Sequence, residues 1–298
     1  MREMTTTSAS GLRRDTLPFR LYEKAKRLGV WNPRDIDFSQ DKRDWANMTE
    51  EQRLGILRLI SQFQAGEEAV TLDLLPLIMV IASEGRLEEE MFLTTFLFEE
   101  AKHTDFFRLL LDTLDVHEDL SMHHSATYQK IFYELLPQTM QRLKHDSSPK
   151  AVADAAVVYN MFVEGMLAET GYYSFYQSLE KVNMMPGLLE GIGYLKRDES
   201  RHIGYGTFLL QRLICEDPSL YDYVEERLGE LLPLAIALNQ EGFDANGDRT
   251  DDPMAVDAEA VMEFSMKQFQ LRIEKLQRAK DRSIEELYRM PEEALGVL

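Results

Sequence analysis

The sequence predicts an all-α protein folded as a single helical bundle. Apolar residues recur at three- and four-residue steps over long stretches, and no stretch alternates apolar and polar residues with β-branched enrichment. No linker interrupts the chain, so one domain is expected over residues 18–280, between a flexible polar leader at 1–17 and a charged tail at 281–298. With 298 residues and 44% hydrophobic content, the chain can bury a sizeable core.

Residues 18–29 (PFRLYEKAKRLG) suit a short amphipathic helix ending at Gly29, and 31–37 form a turn-rich connector. Thr49 caps a long helix with Glu50 and Glu51 in its first turn, where negative charge complements the dipole. It continues through Glu67 and Val70 towards Pro76, and Gly85 closes the region. Residues 86–114 form the next helix, and a polar loop follows at 115–125. Residues 131–143 are amphipathic. Ser148-Pro149 starts a helix reaching about Leu179, and Pro186 opens another to Ile214. A helix from Pro218 to about Leu238 carries a kink site at Pro233, and a last helix spans 255–280 after a polar loop at 244–252.

The net charge of −19 repels nucleic acid phosphates and anionic membrane surfaces, so no nucleic acid partner is expected. No apolar run of membrane-spanning length is expected, and the polar start lacks the apolar core of a secretory signal. Cys215 is the only cysteine, which excludes an internal disulfide or a Cys-rich metal site and fits a cytoplasmic protein.

The chemistry sits in a repeated motif. Glu100 and His103 are three residues apart and so share a helix face, where a carboxylate and an imidazole can grip one metal ion. One Glu-x-x-His pair is weak evidence. A second copy, Glu199 and His202, strengthens it, and lone glutamates precede both: Glu67 lies 33 residues before Glu100, and Glu164 lies 35 before Glu199. Four helices can place these six residues in one core, the pattern of ferritin-like dimetal carboxylate proteins. Buried glutamates need compensating charge, and two divalent cations would supply it. Oxygen-rich coordination with one imidazole per ion suits iron or manganese better than tetrahedral zinc, and spacing does not separate Fe/Fe from Mn/Fe. Gly66 and Gly165 flank two of the glutamates in mid-helix, where a local distortion, ligand approach or tight packing would explain them.

The segments Ala65-Gly-Glu-Glu-Ala-Val-Thr71, Glu99-Glu-Ala-Lys-His103, Val158-Tyr-Asn-Met-Phe-Val-Glu-Gly165 and Asp198-Glu-Ser-Arg-His202 resemble the ribonucleotide-reductase-like ligand-binding oxidases, a branch of the reductase small-subunit superfamily. The resemblance implies manganese at Glu67, Glu100 and His103, and iron at Glu164, Glu199 and His202. It implies a long-chain fatty acid whose carboxylate meets the metals, O2 activation, an ether cross-link between Val70 and Tyr159, and a homodimer. It also matches Trp31 and Asp198 to residues linking the surface to His103, with Asp198 orienting the imidazole. Helical spacing from Glu164 adds Ala168 and Tyr172 as pocket candidates. Phe107 stands one turn beyond His103, where a radical-storing reductase subunit usually has tyrosine, and it joins the pocket candidates. The remaining readings are a radical-generating reductase subunit, an acyl-chain desaturase or hydroxylase, and a non-catalytic protein that stores iron or binds lipid.

Overall fold

The computed structural model describes residues 11–247, 251–278 and 282–295. Among them no strand occurs, and twelve α-helices follow in order. The first is α1 (Leu17–Leu28), closed by Gly29, whose N–H bonds to the Ala25 carbonyl. A short α2 (Ser39–Asn47) leads to α3 (Glu50–Ser83) and α4 (Leu87–Thr113). Thr49 and Gln52 form a reciprocal capping box at the start of α3. Then come α5 (Ala126–Gln129), a π-helical stretch (Lys130–Leu135) and α6 (Leu136–Arg142). Next, α7 (Pro149–Ala156) runs through a second π-helical stretch (Val157–Ala168) into α8 (Glu169–Leu179). The chain continues as α9 (Pro186–Glu216), α10 (Leu220–Asn246), α11 (Ala258–Gln277) and α12 (Ile284–Tyr288).

Two apolar clusters fill the bundle, and the chain crosses from one to the other on each of four helices. Val70, Phe96, Val163 and Ile203 belong to the first cluster; Phe63, Phe106, Tyr172 and Leu195 belong to the second. Each crossing falls at a predicted metal ligand. Helices α3 and α9 therefore run one way through this layer, while α4 and the π-stretch leading to α8 run the other.

Several expectations shift. Helix α2 is not legible as a periodic pattern, since only Asp41 and Trp45 of SQDKRDWAN are buried. It is held by what it does for α9: the Asp41 carboxylate accepts the Gly187 and Leu188 N–H groups at 2.9 and 2.7 Å, capping that helix from outside. Helix α10 runs past Pro233 to Asn246, into the expected loop, because Leu231, Ala235 and Leu238 keep its inner face buried. The segment Pro149–Val182 is long and apolar enough to cross a membrane, contrary to the sequence expectation, but 89% of its apolar window is buried inside the bundle. Residues 1–10 of the leader lie outside the described residues. After them, the Arg13 N–H bonds to Glu88 at 2.8 Å and Leu17 is fully buried. In the tail, Leu287 and Leu295 are buried against the main core.

Candidate metal centre

Helix α3 supplies Glu67, α4 supplies Glu100 and His103, the second π-stretch supplies Glu164, and α9 supplies Glu199 and His202. None is more than 5% exposed. Their ligand atoms form two overlapping groups, Glu67, Glu100, His103 and Glu199 in one, and Glu100, Glu164, Glu199 and His202 in the other. Within each group the atoms lie within 4.8 Å of one another. All six predicted residues thus meet, and Glu100 and Glu199 belong to both groups.

The donor set fits two cations. Both oxygens of Glu100, Oε1 of Glu164, Oε2 of Glu199 and Nδ1 of both His103 and His202 are buried without a hydrogen-bond partner. Such convergent orphaned lone pairs are costly unless a cation meets them. Burial pushes Glu67 up to about 8, and pushes Glu164 well above the carboxylate range with Glu199 adding to the effect. Glu199 goes the other way: despite burial, His202 and His103 hold it at about 2. Both imidazoles, despite burial, are driven upward, His103 by Asp198, Glu199 and Glu67, and His202 mainly by Glu199 and Glu100. Protons on buried carboxylates and imidazoles stand where metal charge would otherwise serve.

A second layer orients both histidines, and it is crossed. Asp198, next to Glu199 on α9, faces His103 on α4, with Oδ2 3.3 Å from Nε2. Glu99, next to Glu100 on α4, faces His202 on α9, with Oε2 2.8 Å from Nε2. In each copy the acidic residue before the ligand glutamate serves the histidine of the other copy. One nitrogen of the fully buried Arg201 joins the two carboxylates, at 2.5 Å from Glu99 Oε1 and 2.5 Å from Asp198 Oδ1. Asp198 also accepts from Trp31 Nε1 at 2.8 Å and pairs with Lys102 Nζ at 2.8 Å. Despite burial, these partners hold its carboxyl below the ordinary range, His103 most strongly. Glu99, Lys102 and Arg201 were not singled out in the sequence. Aligning Asp198-Glu199 on Glu99-Glu100 would have found the first.

The π-stretch shapes the side nearest Val70. Asn160 donates to Glu164 at 2.9 Å, and the fully buried Tyr159 hydroxyl donates to the Val70 carbonyl at 3.3 Å. Gly165 lies here under Arg272, which donates to its carbonyl; a Cβ would come within 2.9 Å of the guanidinium. Close packing thus accounts for Gly165. Gly66 instead borders a cavity of about 530 Å³. Glu67, Glu100, Glu164 and Glu199 line it, together with Val70, Val163 and Leu167 and with Arg58, His123 and Asn239. Of the pocket candidates only Ala168 lines it. Phe107 and Tyr172 stack on Phe63, with ring centroids 5.4 and 4.9 Å away, and it is Phe63 that lines the cavity.

A family model for the ribonucleotide reductase small chain matches residues 19–283. A solved structure titled as an R2-like ligand-binding oxidase variant with aerobically reconstituted Mn/Fe cofactor shares 44% identity at a TM-score of 0.86, covering 89% of this chain and 98% of that one. The chain belongs to the ribonucleotide reductase small-chain family, among its R2-like ligand-binding oxidases. A second such structure, also with an Mn/Fe cofactor, shares 42% identity at a TM-score of 0.89, covering 92% and 99%. A third carries an Fe/Fe cofactor at the same identity, with a TM-score of 0.88 over the same shares. In this chain the six carboxylate and imidazole residues form the layer at which the two apolar clusters meet.

Proposed function

We propose that this chain is an O2-dependent dimetal oxidase that binds a long-chain aliphatic carboxylate and carries out two-electron C–H oxidation, joining Val70 to Tyr159 by an ether bond. The observation that carries the reading is the union of carboxylate cluster and cavity: Glu67, Glu100, Glu164, Glu199 and Val70 all line one cavity of about 530 Å³, a volume suited to a small-molecule ligand. Glu67, Glu100 and His103 would hold one ion and Glu164, Glu199 and His202 the other, Glu100 and Glu199 being common to both residue groups. Relatives carrying Mn/Fe and Fe/Fe support a heterodinuclear Mn/Fe centre here, with Fe/Fe as the alternative loading. When bound, the metals supply O2 reduction beside the cavity.

The protein's own residues supply placement. Asp198 and Glu99 orient the two imidazoles, Asn160 steadies Glu164, and the apolar wall excludes water from the reacting C–H bond. Tyr159 is held with its phenol oxygen against the Val70 backbone, close to a tertiary Cβ–H that is weaker than a methyl C–H. The ether forms with loss of the Val70 Cβ hydrogen and the Tyr159 hydroxyl proton, and the two electrons released reduce O2. Phe107 lies where a radical-storing subunit would keep its tyrosine, so oxidising power is directed to Val70, Tyr159 and the bound ligand.

Leu72, Leu75 and Met79 on α3 and Phe98 on α4 are exposed, an apolar face suited to a second copy of the chain, and we place a homodimer contact there. A cytoplasmic location agrees with the single Cys215.

Anaerobic loading with Mn(II) and Fe(II), exposure to air, then intact mass and peptide mapping tests the reading. The expected result is loss of two hydrogens, with the Val70 and Tyr159 peptides joined. A metal-loaded, uncross-linked chain that supports ribonucleotide reduction with a large subunit overturns it.

A further inference from the structure

A buried polar pair that the proposed oxidation does not use lies on the same two helices as the Glu-x-x-His motifs. Tyr205 is three residues beyond His202 on α9, and Glu89 is near the start of α4. The Tyr205 hydroxyl donates to Glu89 Oε2 at 3.0 Å, and neither residue is more than 2% exposed. Glu89 Oε1 has no hydrogen-bond partner; Arg212 Nε and Arg86 Nη1 stand 3.6 and 3.8 Å from it. Burial pushes the Glu89 carboxyl above its ordinary range while those guanidinium groups pull it back, and they leave one of its oxygens without a hydrogen bond.

A stack of rings joins this pair to the metal layer. Phe96 lies flat on His202, with centroids 3.6 Å apart and planes at 17°. Phe92 is 6.0 Å from Phe96 and 5.2 Å from Tyr205. Beyond Tyr205, Phe208 follows at 6.2 Å and Tyr288 at a further 5.6 Å. Tyr288 is only partly buried, and its hydroxyl accepts from Arg86 at 2.9 Å. Rings in contact are ordinary core packing. Here, however, they connect a metal-ligand imidazole to a phenol that already hydrogen-bonds a buried carboxylate with spare acceptor capacity, and then to the surface.

We propose that Tyr205 and Glu89 form a proton-coupled redox pair that gives one electron to the oxidised dimetal centre when no ligand C–H bond is available to it. The inference rests on the oxidase reading above. The Tyr205 O–H bond breaks; its proton passes along the existing hydrogen bond to the Glu89 carboxylate, and its electron passes through Phe92 and Phe96. The products are a neutral tyrosyl radical, a neutral carboxylic acid and a centre reduced by one electron. Moving the proton with the electron avoids a phenol radical cation in a low-dielectric interior, which would be costly. Recovery returns the proton from Glu89 and takes one electron, by way of Phe208 and Tyr288, from a one-electron reductant such as a thiol in solution.

The test uses full-length chain made with ring-deuterated tyrosine, loaded with Mn(II) and Fe(II), mixed with O2 without added lipid, and frozen at intervals for electron paramagnetic resonance. The wild type is expected to show a radical signal narrowed by deuteration. Tyr205→Phe, which keeps the ring and the stack, should lose that signal at unchanged metal content. Glu89→Gln should lose it too, and Glu89→Asp should restore part of it. An equal radical yield in Tyr205→Phe overturns the proposal. So does O2 consumption with cross-link formation but no tyrosyl signal in the wild type, and in that case the oxidase reading survives. If the fully loaded chain consumes no O2, the oxidase reading fails and this inference fails with it.

Discussion

His103 and His202 hold equivalent places in the two halves of the ligand pattern, yet their surroundings differ on every side. His103 faces Asp198, a carboxylate shared with Trp31, Lys102 and Arg201. His202 faces Glu99, whose other oxygen meets Arg201, and its ring lies under Phe96. The lone glutamates differ as well. Glu67 stands on regular α-helix beside the cavity, whereas Glu164 stands on a π-stretch and takes a hydrogen bond from Asn160. Equal spacing therefore builds two positions with the same ligand types and different electrostatics. Outer partners tune metal affinity and imidazole basicity, so a duplicated pattern can hold two different metals without changing a single direct ligand. The π-turn adds to this, because it widens one helix where a functional side chain must be re-aimed.

The largest effect is expected where the two halves overlap. Glu100 and Glu199 belong to both ligand groups, so Glu100→Ala should empty both positions rather than one. Metal analysis after anaerobic loading should find close to no bound Mn or Fe. One full equivalent retained would show that the halves are independent.

Arg201 is the next connection. It is fully buried and ties Glu99 to Asp198, so Arg201→Leu removes the one cation shared by two buried carboxylates, leaving Glu99 with His202 and Asp198 with Trp31, Lys102 and His103. Breaking such a buried arrangement costs about 3–5 kcal/mol, which thermal unfolding of the metal-free protein should register as a large drop in melting temperature. Arg201→Lys, which keeps charge but cannot bridge in the same plane, should fall in between.

The crossed second layer permits a sharper comparison. Asp198→Asn should weaken binding at the His103 position, and Glu99→Gln at the His202 position, each by about 10–100-fold. Each variant alters a residue adjacent in sequence to a ligand of the opposite position. Element-specific titration with Mn(II) and Fe(II) reads which position is affected. Weakening at the sequence-adjacent position instead would mean that the crossing has no energetic weight.

That the six carboxylate and imidazole residues cluster was legible because helical spacing fixes which side chains share a face, and because such groups in apolar surroundings need a reason to be there. The long helices were legible for the same reason of period. What escaped was set by contacts distant in sequence. Helix α2 exists through Asp41 reaching across to α9, which no local pattern in SQDKRDWAN announces. Arg201 reads as an ordinary polar residue until two helices bring Glu99 and Asp198 to one nitrogen. Phe107 and Tyr172 share the right helix faces for the pocket, but both stack on Phe63, from a third helix, and it is Phe63 that lines the cavity. The π-stretch is likewise invisible in sequence, since its residues, from Val157 to Ala168, read as good α-helix.

The smallest predicted effects divide the two positions most cleanly. Trp31 donates to Asp198 at 2.8 Å and so acts on the His103 side, while Asn160 donates to Glu164 at 2.9 Å and acts on the His202 side. Trp31→Phe removes one hydrogen bond to a charged group and keeps a ring against His103; Asn160→Ala removes the other donor. Each loss is worth about 1 kcal/mol, or roughly fivefold in metal affinity, at one position only. In Trp31→Phe, Lys102 and Arg201 still satisfy Asp198, which should keep the effect at the low end. In Asn160→Ala, Glu164 Oε1 already lacks a hydrogen-bond partner and Oε2 now loses its own, so the effect should be the larger of the two. Competition titrations with a chelator of known affinity resolve changes of this size. Equal losses at both positions in either variant would mean that the metals share their charge so completely that the outer asymmetry is lost on them.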